Sequence, residues 1–434
     1  MTEIHHPVRL HAPSVITASS INLNEPQCIV LPNGIPVYSF PDLSQQALRF
    51  DLILDAGSAI QQKLLVASTT ASMIKEGSTK YSATSIHKRI DYHGAYLDTQ
   101  STRDYTSISL FCLAKSLQYL LPILESILKE PLFKQRDFDV FNLRQKEQFL
   151  VSNQKNKHVA NRIYTKKLYG EGTPYGQVAE ENDFDKLQTS DLKSYHSQHF
   201  HPANCSIIIS GPVNEKTLKE IEQYFGDQWS LKKKQTDFEQ NTLFNPGLHQ
   251  VDKPGSLQSA IMMGKPMIHR THPDYFGVLV MNTILGGYFG SRLMANIRED
   301  KGYTYGIHSQ IAPLRKTSSF MISTEVGTSA TKNTLAEINN ELNRMRTELV
   351  GEDELNLVKN YLAGSYMRGL DGVYNQAEKF RATLDNQLGM AYFANSLKAI
   401  SSATSEEIKE LAVKYLDPDS MLTVVVGNLE VTRS

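Results

Sequence analysis

Chain-breaking residues recur along this chain at a nearly fixed distance. Gly57 and Gly264 lie 207 positions apart, Gly94 and Gly302 208, Pro202 and Pro418 216, and Gly211 and Gly427 216. Glycine and proline end helices and shape turns, so their return at one spacing marks the return of a whole order of elements and restricts the fold to two copies of one plan. In the first copy, strands are predicted at 28–31, 35–40 and 48–54, with Pro32, Asn33 and Gly34 as a hairpin turn. Pro36 confines its strand to an edge, or itself to the strand's first position. Helices at 64–75 and 82–92, the second stopped by Gly94, lead to paired strands over 95–113, helices between 116 and 200, and an apolar strand at 205–209. Segments 260–264, 275–287, 291–301, 303–325 and 328–349 repeat these types in the same order, and Leu422-Thr-Val-Val-Val-Gly427 repeats Ser206-Ile-Ile-Ile-Ser-Gly211. A chain of 434 residues also exceeds one hydrophobic core. The prediction is therefore α+β. Two homologous halves, 22–229 and 256–434, each form a sheet with helices on one face, and a polar linker at 230–255 joins them.

Net charge is −1, and the one short basic run, Lys232 to Lys234, reads as solvated linker, which argues against a nucleic-acid or anionic-membrane surface. Cys28, Cys112 and Cys205 are odd in number and unpatterned, which fits buried thiols in a reducing compartment. No run is long and apolar enough for a membrane span, and the arm up to residue 25 lacks the apolar core of a signal peptide. The cytoplasm is expected, or the periplasm if a leader has been removed.

The densest signal lies at 285–306. Ser291 is placed to cap a helix, Leu293, Met294 and Ile297 give it an apolar face, and Gly302 stops it. A strand follows, so Arg298 leaves the last helical turn and Tyr305, seven residues on, rises from the strand beside it. Two readings stand. Arg298 can complement the helix C-terminal dipole while Tyr305 is an ordinary strand residue. Alternatively, guanidinium and phenol converge as donors on a peptide carbonyl, which needs them about 3 Å from its oxygen. Gly286 and Gly287 follow a helix rather than a strand and have no nearby lysine, so they suggest a flexible loop lining a cavity and not a phosphate cradle. His196, His199 and His201 share metal-like spacing, but their repeat counterparts are Ala412, Tyr415 and Asp417, and no acid or cysteine completes a set of four ligands. A structural role is expected.

Segments Leu285-Gly-Gly-Tyr-Phe-Gly-Ser-Arg-Leu and Ile297-Arg-Glu-Asp-Lys-Gly-Tyr-Thr-Tyr-Gly306 resemble the C-terminal signature of the pitrilysin/insulinase-type zinc metallopeptidases, in the short-chain branch where two chains form a closed clam-shell. Asp55-Ala-Gly-Ser58, Lys75-Glu-Gly-Ser-Thr79, Tyr81-Ser-Ala83 and Thr173-Pro-Tyr-Gly176 are similar to the framework around that family's zinc site. The resemblance spans about 22–429. It implies that Arg298, Tyr305, Gly286 and Gly287 contact substrate and that an inverted His-x-x-Glu-His motif lies on the first helix.

Aligned on Met73 and Gly77, that motif falls on Ser68 to Ser72. Both histidines have become serine (Ser68, Ser72), the base has become Ala71, and the distal glutamate ligand falls at Gln148, beside Glu147. Serine hydroxyls are poor zinc ligands and alanine accepts no proton, so no catalytic residue and no metal ligand is expected in this chain. The resemblance then implies a non-catalytic, substrate-binding subunit of a bacterial heterodimer, with zinc and the catalytic residues in a homologous partner chain and a peptide as substrate. The alternative is a peptide-binding or scaffold homodimer without hydrolysis. A weaker third reading, Ser68 or Ser72 as a nucleophile, lacks an adjacent base.

Overall fold

The computed structural model describes residues 21, 23, 25–230, 238–240, 244–384, 386 and 388–429. The Lys232 to Lys234 run and most of the N-terminal arm lie outside the described residues. Strands β1 (Gln27–Val30), β2 (Pro36–Pro41), β3 (Ala47–Leu54), β4 (Tyr96–Ser101), β5 (Thr106–Leu113) and β6 (Cys205–Gly211) form one sheet in the order β1-β2-β6-β3-β5-β4. A second sheet takes β7 (Gly247–Asp252), β8 (Gln258–Met267), β9 (Thr304–Pro313), β10 (Ser318–Gly327) and β11 (Leu422–Gly427) in the order β7-β11-β8-β10-β9. With β1 set aside the two orders coincide, and the parallel pairs, β2 with β6 and β7 with β11, occupy the same place. The duplication holds.

Two details differ from expectation. The ladders pair Leu52 with Ile207 and Met263 with Thr423. Since Gly211 and Gly427 end equivalent strands, Met263 answers to Leu52 and Gly264 to Ile53, so the expected match of Gly57 with Gly264 slips by four residues. The stretch expected as linker, 230–255, also contains β7, an edge strand of the second sheet that β11 recruits in parallel. Pro36 is the first residue of β2, where its missing N–H leaves no gap inside the strand.

Helices of the first half are α1 (Val66–Met73), α2 (Ala83–Tyr92), α3 (Leu117–Lys129), α4 (Gln135–Asn153), α5 (Asn156–Tyr169), α6 (Glu181–Lys186), α7 (Thr189–His199) and α8 (Glu215–Phe225). Those of the second are α9 (Tyr275–Asn282), α10 (Thr331–Thr347), α11 (Glu352–Arg368), α12 (Gly372–Leu384), α13 (Ala391–Ser402) and α14 (Ser405–Tyr415). Helix α8 follows the 205–209 strand segment, and Asn214 caps it by accepting the Thr217 amide at 3.0 Å.

Strand alternation assigns the two faces of each sheet. Leu48, Phe50, Leu52 and Leu54 point to a core shared with helices of their own half, as do Ile261 and Met263 in the second sheet. The opposite faces are covered by exchange. Ala160, Tyr164 and Leu168 of α5 pack on Ala260, Met262, Leu422, Val424 and Val426 of the second sheet, while Ala377 and Phe380 of α12 pack on Phe40, Ile53 and Ile208 of the first. Polar groups complete the exchange. Tyr164 donates to the Phe320 carbonyl at 3.0 Å, and Arg49 meets Glu378 at 2.5 Å. Each large side chain buried there is worth about 1.5–3 kcal/mol, against at most about 1 kcal/mol for a partly exposed ion pair, so the apolar contacts hold the halves together.

Candidate functional site

After α9 the chain widens into a π-helical turn, Thr283–Gly287, that lies against β9. Gly286 is glycine for want of space, since a Cβ there would stand 2.6 Å from the Ser309 hydroxyl and 2.7 Å from its amide. A second π-helical segment, Met294–Asp300, follows, its wide turn shown by the Lys301 amide reaching the Asn296 carbonyl at 2.9 Å. Gly302 ends it at φ +65°, and the Tyr303 amide closes back on the Ile297 carbonyl at 3.0 Å.

Strand β9 then begins with a bulge. Thr304 pairs with Val326 and Ile307 with Thr324, which leaves Tyr305 and Gly306 facing Glu325 alone. Two threonines pin it. The Thr304 hydroxyl donates to the Glu325 carbonyl at 2.7 Å and accepts the Gly306 amide at 3.1 Å, while the Thr324 hydroxyl donates to the Gly306 carbonyl at 3.0 Å. Regular alternation would have put Tyr305 on the buried side with Ile307. The bulge turns it out, and Tyr305 is 94% exposed.

Tyr305 thereby enters a cleft of about 820 Å³ whose walls include Gly286, Gly287, Phe289, Tyr305 and the β9 residues as far as Gln310. Strand β9 is the outermost of its sheet and lines this cleft, but its outer edge is partly occupied by its own chain, with the Ile307 amide meeting Met294 Sδ at 3.4 Å and the Ser309 carbonyl accepting from Asn282 Nδ2 at 3.4 Å. A second cavity of about 740 Å³ adjoins it at Lys157, Gln258 and Glu325 and continues to the junction of α4 and α5. Burial, with Lys157 adding to it, holds the His308 imidazole below its ordinary value, so it is neutral at pH 7.

Gly286, Gly287 and Tyr305 thus come together as the sequence suggested, although the glycines close a helical turn instead of forming a flexible loop. Arg298 does not join them at the cleft wall. Its guanidinium lies 4.5 Å from the centre of the Phe289 ring, and its Nη1 is shielded from solvent without a hydrogen-bond partner among the described residues. Ser291 sits at the helix start, but its buried hydroxyl caps nothing. Phe289 carried no signal in the sequence beyond the two glycines near it.

His196 packs between Phe133 and Phe200, with ring centres 5.8 and 4.9 Å away, and its Nε2 meets the Leu128 carbonyl at 2.7 Å. Burial pushes it down to about 4, against the opposing effect of that hydrogen bond. His199 and His201 are buried as well. Among the described residues no three His, Cys, Asp or Glu side chains are grouped to hold a metal ion.

Helix α1 lies against β4 just as the Thr283–Gly287 turn lies against β9, so the cleft occupies the repeat counterpart of the degenerate zinc position. The residues there do not fit a zinc ion. The Ser68 hydroxyl is exposed and bonds to the Leu65 carbonyl at 3.1 Å, Ala71 presents a buried methyl, Ser72 is half-buried, and Gln148 and Glu147 are exposed on α4. Neutral hydroxyls cannot stand in for imidazoles, nor a methyl for a base. Among the described residues no helix is long and apolar enough to cross a membrane.

Comparison with known proteins agrees with this geometry. Residues 43–176 match the insulinase (peptidase family M16) description, and residues 186–362 match that of the peptidase M16 inactive domain. The uncharacterized zinc protease YmxG of Bacillus subtilis is 21% identical, with 81% of this chain and 86% of that protein covered. The non-peptidase homolog YmxG of Helicobacter pylori is also 21% identical, over 87% of this chain and 88% of that one. In fold, the chain is similar to a crystal structure of a peptidase M16 inactive domain from Pseudomonas fluorescens, with a TM-score of 0.86, 23% identity, and 94% and 98% of the two chains covered.

Proposed function

Because this chain belongs to the insulinase (M16) peptidase family, we propose that it is the non-catalytic, peptide-binding subunit of a two-chain zinc metallopeptidase whose zinc is held by a homologous partner chain. One observation carries the reading. Of two repeat-equivalent places, the one on α1 lacks every zinc donor, while its counterpart beside β9 opens a cleft lined by the outermost strand and an exposed phenol. An extended peptide can lie in the cleft along β9, and the Tyr305 hydroxyl can donate to a peptide carbonyl. The partner's zinc would supply the polarised carbonyl and activated water. Cys28, Cys112 and Cys205 are free thiols, which supports a cytoplasmic site of action.

The test mixes the purified chain with a zinc-bearing homologous chain and follows cleavage of a quenched fluorescent peptide. The mixture is expected to cleave and this chain alone not to, with less than a tenth of a zinc ion per chain by elemental analysis. Stoichiometric zinc with chelator-sensitive cleavage by the lone chain refutes the reading. Peptide binding by a homodimer, with no cleavage in any mixture, favours the scaffold alternative.

A further inference from the structure

We propose that Phe289 is the residue through which this cleft selects large apolar side chains, and that Arg298 acts as a positioning residue beneath it. The inference rests on the peptide-binding reading above and deepens it by naming what the cleft prefers. Phe289 is 63% exposed although it is a phenylalanine, and it stands in the cleft wall rather than scattered on the open surface. Tyr305, 94% exposed, shares the same cleft, and Leu257, 88% exposed, lines the adjoining cavity. Large apolar groups left bare along one concave, polar-rimmed channel mark a surface made to be covered.

Position 289 would be free to turn on its own. Gly290 follows it and Gly287 ends the π-helical turn two residues before it. What fixes the ring is the cation behind it. Arg298 stacks on Phe289 at 4.5 Å, and its Nη1 is sealed from solvent, so that nitrogen has no route to a peptide carbonyl while the ring stays in place. The face turned to the cleft is therefore a carbon surface of fixed orientation. It suits a Phe, Leu or Met side chain of an extended peptide lying along β9 in the cleft.

The experiment is a double-substitution cycle on the full-length chain, read by fluorescence anisotropy with two probes. These are a labelled twelve-residue polar peptide carrying one phenylalanine and its counterpart with alanine at that position. Wild type is expected to prefer the phenylalanine peptide about tenfold, the worth of one well-packed apolar group. Phe289→Ala should bring that ratio close to one, Arg298→Ala should lower it several-fold, and Arg298→Lys, which keeps a cation under the ring, should restore most of it. The double variant should resemble Phe289→Ala alone, because Arg298 acts through the ring. Additive losses, or equal loss of both peptides in Arg298→Ala, would show direct contact and overturn the positioning role. An unchanged ratio in Phe289→Ala would overturn the selection. If wild type binds neither peptide, the peptide-binding reading itself fails. The positioning claim is then judged separately by fluorine NMR of 4-fluorophenylalanine at 289, whose resonance must sharpen and shift toward the free value in Arg298→Ala.

Discussion

Tyr305 stands almost clear of its own protein, and its substitution separates function from folding. Tyr305→Phe is expected to leave the thermal midpoint unchanged, since nothing packs on the ring. Turnover in the complex with a zinc-bearing partner should fall about a hundredfold, or about 3 kcal/mol, the usual worth of a donor aimed at a developing oxyanion. Equal turnover of the two proteins would return the phenol to a passive role. His196 makes the opposite kind of contribution. Its folded-state value of about 4 lies below the ordinary 6.5, so between those values the unfolded chain takes up a proton that the folded chain refuses. Stability is therefore full above pH 6.5 and falls as pH drops toward 4. With its partial exposure discounted, about 1–2 kcal/mol is at stake. His196→Gln should flatten that part of a melting curve against pH, and an identical acid slope would exclude the imidazole as the cause. Some of this was legible in the sequence. The sequence placed Tyr305 beside Gly286 and Gly287, as the structure does, but not Arg298 behind Phe289, and the bulge between Thr304 and Ile307 rests on two threonine hydroxyls that look like ordinary strand residues until the ladder is seen.

At the scale of elements, the repeat was written in glycines and prolines because those residues have backbone duties that side-chain drift cannot move. Gly94 and Gly302 both take positive φ after a helix, and Pro202 and Pro418 both open a short 3₁₀ turn before a strand. The exchange of α5 and α12 left no such mark. Tyr164 and Leu168 would show the same apolar spacing whichever sheet they covered, and pairing at long range has no local signature. Gly264 was visible as a glycine, yet its reason lies in another element. A Cβ there would overlap the Phe320 carbonyl and the Tyr164 hydroxyl. Tyr164→Phe should thus cost about 1–2 kcal/mol by leaving that buried carbonyl without its donor, seen as a lower midpoint in denaturant with an unchanged slope. A larger m-value change would mean that α5 had detached.

For the whole molecule, exchange implies a single cooperative unit. Each sheet depends on the other half for cover, so calorimetry of the intact chain should show one unfolding transition, and residues 25–229 expressed alone should expose the apolar side of α5 and associate. Two well-resolved transitions would contradict this. The same interlock bears on how such a chain can change over time. Ser68, Ala71 and Ser72 belong to none of the four hydrophobic clusters that tie the sheets and helices together. A lineage could erase a reactive centre at those positions without disturbing the joinery, and a copy released from chemistry would keep a well-formed frame, free to be refitted.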